Sequence, residues 1–476
     1  MHRRYSILLT LLLSSCANIP NDAGFNEIQT DIASRINQHP QWNRGTAADE
    51  QVAAAIKSLL ANDVSPEDAV QIALLNNQSL QATYEDLGIA QAELVEAGLL
   101  HNPTLNAEVR FPSHARLPFE IDISQSFLDL LLLPVHKKLA GASFEAARLR
   151  VTHQILTTAA DVRAAYYRAQ GAAQLVEMRQ TILKATDASY SAAKRLREAG
   201  NITELALANE QALHEQSKVD LAKSEQEALD AREELTALMG LWGENINWKI
   251  PPRLAELPPV DLAETHLESL AVSHRPDLLA AQQSVEIASQ SLGLTRNTAW
   301  FNDLALGAHF EQDADGTTTV GPTVQIPLPL FNQGQPAIAA AQSRLRQSER
   351  RYAALAVEIR SQVRRARNRM SAARALAEYQ SRIILPLRHK IVEETQLQYN
   401  AMLAGVFQLL EARKAEIDAG REYVQALQDY WLARTELERA IGQSLPLQSS
   451  PPTSRPSPLT PPATMPASHH HHQESP

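Results

Sequence analysis

The side chains that could take part in catalysis or metal binding are carboxylates and histidines. They are scattered along the sequence and are not arranged as a catalytic site. The sequence has no P-loop, no GxSxG, no HExxH and no CxxC motif, and its one cysteine is at position 16. Isolated Asp, Glu and His residues on long helical segments are typical of solvated faces. We therefore expect no enzymatic activity and no bound cofactor.

One histidine cluster has a composition that suits metal binding. A Pro/Ser/Thr-rich tail over residues 446–476 predicts disorder, and it ends in His469, His470, His471 and His472. Adjacent imidazoles can bind copper or zinc. Two interpretations remain open, a native metal site and an engineered addition, because four histidines followed by QESP differ from a typical six-residue tag.

The N-terminus predicts export and lipidation. Residues 1–15 combine two arginines with a short apolar run, which is typical of a signal peptide. Cys16 follows Leu-Ser-Ser and resembles the lipobox of bacterial lipoproteins, which implies a diacylated cysteine at the start of a lipid-anchored segment, 16–60. Ala17 is not the Asp of inner-membrane retention, so the outer membrane is implied. The alternative is an ordinary signal peptide with an incidental cysteine.

Composition narrows the class of protein. Hydrophobic residues make up 44% of the 476 residues but aromatic residues only 5%, and the Ala/Leu/Glu/Gln/Arg-rich mixture suits long packed helices. A net charge of -10 gives no general basic surface for nucleic acid. No segment after the signal peptide has the run of about 18 apolar residues that a spanning helix needs.

The chain repeats itself. REELTALMG at 232–240 matches RTELERAIG at 434–442, and ALLNNQSLQA at 73–82 matches AVSHRPDLLA at 271–280. The two matches occur in the same order and with nearly the same offset. They predict one repeat over 61–240 and a second over 261–445, joined by a linker at 241–260.

Each repeat contains two segments that alternate like β-strands, at about 104–112 and 119–127, then at about 303–311 and 319–330. One face is apolar, and the other carries the charged residues Glu108, Arg110, Glu120, Asp122, His309 and Glu311. This alternation is typical of transmembrane strands, with these charged residues facing a lumen, but a soluble sheet with one buried face shows it too. Pro327 and Pro329 should interrupt pairing in the last strand.

Long helices flank the strands. They are predicted at about 135–199 and 335–404, and each continues across a glycine, Gly200 or Gly405, into an antiparallel helix. Helices of this length must pack on one another as coiled coils. The four strands then lie at one end of the helical body, where they are too few to close a barrel. Three copies would supply twelve.

The chain resembles the TolC family of outer-membrane efflux factors over residues 60–445. The resemblance lies in the segments GLLHNPTLNAEVRFP and VQIPLPLFNQGQ, together with the repeats and the lipobox. YNAMLAGVFQLLEARK is most similar to the metal-efflux and RND-pump branch, of the CusC and CzcC type. The resemblance implies a mainly α fold with a small transmembrane β part, in which two helix-strand-strand-helix repeats build a homotrimeric 12-stranded barrel. The barrel would continue into a periplasmic α-helical barrel.

The implied function is a passive exit duct in the outer membrane of a Gram-negative bacterium. It would dock on a periplasmic adaptor and an RND-type inner-membrane pump and conduct heavy-metal ions such as copper. Drugs or other small organic molecules are the alternative cargo, which the fold cannot distinguish. An alternative from a different functional class is a periplasmic coiled-coil scaffold that transports nothing.

The resemblance also assigns residues at the helical turns. Glu411 lies six residues beyond Gly405 at a position of the family's acidic entrance gate, although Lys414 replaces the next expected acid, and Glu204 lies near the equivalent place in the first repeat. An exposed helix residue without a gating role is the alternative. The expected adaptor-docking tips comprise Gly200, Leu205, Gly405, Phe407 and Leu410; burial against neighbouring helices is the alternative for the apolar ones.

Overall fold

A computed structural model of the chain describes residues 19–20, 22–111, 117–259, 266–300 and 304–445. The expected signal peptide, Cys16 and the tail with its four histidines lie outside the described residues. Among the helices that are described, none is long and apolar enough to cross a membrane.

The predicted helix-strand-strand-helix order is confirmed in both halves. Two helices, α1 (Phe25–Ile36) and α2 (Ala47–Leu59), precede the first repeat, which contains α3 (Pro66–Asn76), α4 (Gln78–Glu96), β1 (Thr104–Val109), β2 (Phe119–Ser126), α5 (Phe127–Glu198) and α6 (Glu204–Leu238). The second repeat contains α7 (Leu267–His274), α8 (Pro276–Thr298), β3 (Ala305–Gln312), β4 (Thr318–Gln325), α9 (Gln335–Tyr379), a π-helical turn (Gln380–Ile384), α10 (Leu385–Asn400) and α11 (Val406–Ile441).

Both repeats close in the same way. The junction of α3 and α4 lies against the end of α6, where the Asn77 side-chain amide donates to the Leu238 carbonyl at 2.8 Å. At the corresponding place in the second repeat, the Arg275 guanidinium donates to the Ala440 carbonyl at 3.1 Å. Each side chain satisfies a carbonyl left without a partner at a helix C-terminus.

The four strands form one antiparallel sheet in the order β1-β2-β3-β4. The central pairing joins the two repeats, because β2 belongs to the first and β3 to the second. Gly307 permits the close approach of the strands, since a Cβ atom there would lie 2.5 Å from the Ile123 carbonyl oxygen. The sheet has open edges at β1 and β4 in the single chain.

The last strand is shorter than expected. We predicted a strand over 319–330, but β4 ends at Gln325. Pro327 and Pro329 follow and cannot donate a backbone N–H to a neighbouring strand. The chain then turns at Gly334, whose φ is 86° and where a Cβ atom would lie 2.7 Å from the Ala299 Cβ atom. The long helix α9 begins at the next residue.

Both long helical segments contain a proline. We expected the first long helix to begin near residue 135, but α5 begins at Phe127 and runs for 72 residues with Pro134 inside it, a length of about 108 Å. Asp129 in its first turn favours a helix start there. In the second repeat the π-helical turn precedes Pro386, and such a wider turn relieves the clash of a proline ring with the preceding turn.

Buried aromatic residues cluster in a core where both repeats meet. Tyr84, Tyr166 and Tyr430 are fully buried there, and the rings of Tyr167 and Trp431 stack with centroids 5.3 Å apart. The segment after α6 packs on this core through its backbone. It accepts hydrogen bonds from Gln170 at the Pro251 carbonyl and from Trp431 at the Ala255 carbonyl.

Candidate functional site

The sheet places charged side chains from three strands in one row. Glu108 of β1 pairs with Glu120 of β2, and Glu120 pairs with Glu311 of β3. One register position further along, Asp122 of β2 pairs with His309 of β3. Because side chains alternate between the faces of a strand, these residues share one face. The six residues predicted to face a lumen are thus brought together, and their facing a lumen remains a prediction.

Arg110 connects the first strand to this row. Its guanidinium is 2.9 Å from Glu108 Oε1 and 2.7 Å from Glu120 Oε2, while Glu311 Oε1 is 3.9 Å away. The single positive charge of Arg110 therefore lies near three carboxylates. The row keeps an excess of negative charge, which attracts cations to this face.

His309 lies between carboxylates on both sides of its ring. Its Nδ1 atom is 2.9 Å from Asp122 Oδ1 and 3.6 Å from Glu120 Oε1, and its Nε2 atom is 3.6 Å from Glu311 Oε2. Glu120, Asp122 and His309 each offer one ligand atom, and these three atoms lie within 4.8 Å of one another. Nitrogen and carboxylate oxygen atoms at this spacing can hold a metal ion.

The opposite face of the sheet is apolar and exposed. Leu105 of β1, Ile123 of β2, and Val320 and Val324 of β4 are 64%, 50%, 69% and 61% exposed, and the exposed apolar residues continue beyond β4 to Leu328. A soluble sheet would bury this face in a core. Here the apolar face is the more exposed one, which indicates an apolar surrounding such as lipid.

The first helical tip joins α5 to α6. Gly200 takes a left-handed φ of 75°, and the Thr203 hydroxyl caps α6 by accepting from the Ala206 amide at 3.2 Å. Leu205 is 71% exposed. Glu204 is not a free carboxylate, because Arg197 Nε lies 2.9 Å from it. This pairing offsets the negative charge expected of an acidic gate.

The second tip, between α10 and α11, differs from the expectation in its turn residue. Met402 takes the left-handed conformation, with a φ of 63°, whereas Gly405 is extended, with a φ of -83°, and precedes α11. The Gln408 side chain accepts from the Gly405 amide at 2.9 Å. Met402 and Leu403, which lie within the turn predicted to dock the adaptor, are the most exposed apolar residues of this tip, 94% and 80%.

Phe407 and Leu410 lie one turn further along and are half-buried. They line a cavity between the two helical hairpins, with Ser189 and Glu210 on the opposite wall; the Ser189 hydroxyl donates to Glu210 at 2.5 Å. Because both side chains pack between hairpins, they support the tip from inside. Their role in docking stays a prediction.

Glu411 lies at the rim of the same cavity and is exposed. Lys414, which replaces the second expected acid, is held by Asp418 at 3.4 Å. Further along the same hairpin, away from the tip, lies a titratable side chain that the sequence analysis did not single out. His389 of α10 contacts Glu416 at 2.8 Å and Glu393 at 3.3 Å.

The pKa of His389 is raised above its ordinary value, first by the hydrogen bond to Glu416 and then by the charge of Glu393. The i,i+4 spacing of His389 and Glu393 is a signal that the sequence did contain. The contact with Glu416 comes from another helix, so the sequence could not reveal it.

Comparisons with known proteins agree with this architecture. The family model described as outer membrane efflux protein matches residues 69–241 and 267–443. The cobalt-zinc-cadmium resistance protein CzcC of Cupriavidus metallidurans is 21% identical over 402 residues, which covers 80% of this chain and 91% of that protein.

Solved structures show the same fold. A membrane protein from Pseudomonas aeruginosa aligns with a TM-score of 0.67 at 18% identity, covering 82% of this chain and 93% of that one. CusC aligns with a TM-score of 0.65 at 18% identity, covering 80% and 93% of the two chains. The chain belongs to the outer membrane efflux protein family, the TolC family predicted from its sequence, whose members are channels in the outer membrane of Gram-negative bacteria.

Proposed function

We propose that this protein is the exit duct of a tripartite efflux system and passively conducts heavy-metal cations out of the cell. Cys16 would carry a lipid anchor, and an inner-membrane pump with its periplasmic adaptor would supply the energy. The chain needs no catalytic residues for this role, because substrate moves down the gradient that the pump creates.

The observation that carries the proposal is the inverted polarity of the four-stranded sheet. Its apolar face is exposed and its charged face is partly shielded within the same chain. A periplasmic scaffold has no use for such a sheet, because exposed apolar patches of this size promote aggregation in water. In a membrane the same face contacts lipid, and the charged face lines a water-filled passage.

The open edges of the sheet support a trimer. Unpaired backbone groups at β1 and β4 would be costly in lipid, since each unsatisfied group there costs several kcal/mol. Pairing β4 of one copy with β1 of the next closes the sheet without edges. Three copies give twelve strands, an even number within the range known for outer-membrane barrels.

The long helices would extend the passage beyond the membrane. The helix α5 has 72 residues and a length of about 108 Å, enough to reach far into the periplasm. Its distal tip and the tip near Leu403 present exposed apolar residues at the end away from the sheet. We assign these tips to adaptor docking, because apolar patches on an exposed turn are typical of partner surfaces.

The choice of metal cations as cargo rests on the charged face and on the relative CzcC. The face carries four carboxylates, one arginine and His309, which favours cations over anions. Carboxylate and imidazole ligands suit divalent ions such as zinc and cobalt, and copper in its divalent state. The sequence pointed to copper, and the name of the relative widens the set to cobalt, zinc and cadmium.

Deletion of the gene tests the cargo. We expect the deletion strain to become sensitive to cobalt, zinc, cadmium or copper salts at concentrations at which dye and detergent sensitivity is unchanged. A plasmid copy should restore resistance. Sensitivity to dyes without sensitivity to metals would overturn the metal assignment and favour the duct for small organic molecules.

A further inference from the structure

We propose that Glu120, Asp122 and His309 form a binding site for one divalent transition-metal ion on the charged face of the sheet. This site would add metal binding to the proposed duct. It rests on the proposed function in one respect only, namely that the charged face lines the duct. The site joins the two repeats, because Glu120 and Asp122 belong to β2 and His309 to β3.

The ligand atoms are spaced as a small metal ion requires. Tetrahedral zinc has bonds of about 2.0–2.1 Å to nitrogen and oxygen, so its ligand atoms lie about 3.3–3.4 Å apart. His309 Nδ1 is 2.9 Å from Asp122 Oδ1 and 3.6 Å from Glu120 Oε1. The two distances from His309 therefore differ from this spacing by about half an ångström or less, and the three ligand atoms all lie within 4.8 Å of one another. A bound ion would replace the hydrogen atom that His309 now shares with Asp122.

The second nitrogen of the ring has its own partner. With the metal on Nδ1, the Nε2–H group points toward Glu311 Oε2, which is 3.6 Å away. A carboxylate on the far nitrogen orients a metal-binding histidine and raises its basicity. Glu311 therefore acts as a positioning residue. The neighbour of His309 on β4 is Gly321, and no atom lies within 4 Å of the position a Cβ would take there, which leaves room for the ion's water ligands.

Arg110 competes with the metal for one ligand. Its guanidinium lies 2.7 Å from Glu120 Oε2 and 2.9 Å from Glu108 Oε1, whereas Glu120 Oε1 faces His309. The arginine therefore competes with the ion for the negative charge of Glu120 and not for the same oxygen atom. This competition weakens binding. Conduction through a pore requires that binding be favourable enough to admit an ion and weak enough to release it.

The donor set selects the class of metal. One imidazole and two carboxylates provide nitrogen and oxygen ligands, which suit Zn²⁺ and Co²⁺. Monovalent copper and silver prefer thiolate and thioether sulfur, and the cluster has none. The site therefore favours divalent ions over monovalent ones.

The test is metal titration of the purified full-length protein in which the four tail histidines are replaced by alanine (H469A, H470A, H471A and H472A), so that only the sheet site is measured. Co²⁺ is followed by its visible absorption and Zn²⁺ by calorimetry. We expect one ion per chain. His309→Gln should weaken binding by more than the ~10–100-fold that loss of an outer partner produces.

Two further variants probe the geometry. Glu311→Gln should weaken binding about 10–100-fold and alter the Co²⁺ spectrum, whereas Arg110→Gln should tighten binding because it frees Glu120. His389→Gln is the matched control, because His389 also lies between two carboxylates, Glu393 and Glu416. It should leave the affinity unchanged.

Absence of binding in the parent protein, or equal binding by His309→Gln and the parent, would overturn the site. So would loss of binding in His389→Gln. The experiment distinguishes failure of the metal site from failure of the duct proposal. A protein that conducts ions but binds no metal retains the duct and loses the site, whereas His309-dependent binding without conductance retains the site and loses the duct.

Discussion

Replacing Ile123 by lysine tests which environment surrounds the apolar face of the sheet. Ile123 lies in β2, pairs with Leu105 and Ala308, and is half exposed in the single chain. If this face contacts lipid, the lysine must place a charged amine in hydrocarbon. If the sheet belongs to a soluble scaffold, the lysine lies in water.

The two cases differ in magnitude. A lysine on the lipid face of a barrel costs about 2–4 kcal/mol near the bilayer midplane. In a trimer each of the three copies would bear this cost. A charged residue at an ordinary exposed position in water changes stability by within about 0.5 kcal/mol.

Ser124→Lys is the matched control, because it lies at the same depth on the opposite face. Its neighbours across the strands are the small residues Thr104 and Gly307. We expect this lysine to project into the aqueous passage and to change stability by no more than about 1 kcal/mol.

Both variants are measured by urea unfolding after reconstitution into lipid vesicles, with heat-sensitive migration of the trimer on gels as a second readout. We expect Ile123→Lys to be destabilised strongly and to insert poorly, and Ser124→Lys to resemble the parent. Equal behaviour of the two variants, or a stronger effect of Ser124→Lys, would refute the assignment of the two faces.

Three other predictions concern the helical body. Arg163→Ala should lower the free energy of unfolding by about 3 kcal/mol in urea titrations. Glu438 is buried and lies 2.5 Å from Arg163, and the substitution would leave this carboxylate with a weaker partner only. A loss within about 0.5 kcal/mol would contradict the prediction. Because the pKa of His389 is raised, its protonated form stabilises the hairpin of α10 and α11; this contribution is fully present below pH 6.5 and is lost as the pH rises through the folded-state pKa. NMR titration should show the raised pKa, and Glu416→Gln should lower it. Leu403→Asp should abolish adaptor binding in pull-down assays without reducing conductance, and unchanged binding would exclude this tip from the docking surface.

The alternating residues of the strands were enough to predict which side chains share a face. Period two is a local property, so Glu108, Asp122 and His309 could be assigned to one face without a structure. Their contacts could not be assigned. The pairing of Asp122 with His309 depends on the register between β2 and β3. The helices α5 to α8 separate these strands in the chain, and a one-residue slip would place the two side chains on opposite faces.

The ends of elements were predicted less well where proline or a turn residue decides them. The first long helix was expected from about residue 135, yet α5 begins at Phe127 and contains Pro134. The glycine at 405 suggested a left-handed turn, but Met402 takes that conformation. Gly405 instead begins α11 with an extended backbone.

The repeat was detectable although its closing contacts use different residues. Asn77 and Arg275 both bond a carbonyl at the end of the last helix of their repeat. A short amide and a long guanidinium satisfy the same backbone group, so the architecture persists where identity does not. For this reason each sequence match was weak on its own, although both repeats close through an equivalent contact.

Conductance of the purified protein in a planar lipid bilayer tests the central claim most directly. We expect a detergent-stable trimer that inserts in discrete steps and conducts cations in preference to anions, because the charged face carries more carboxylates than cations. Neutralising Glu108, Glu120 and Glu311 together should reduce this preference. A monomer that produces no conductance steps would contradict the account.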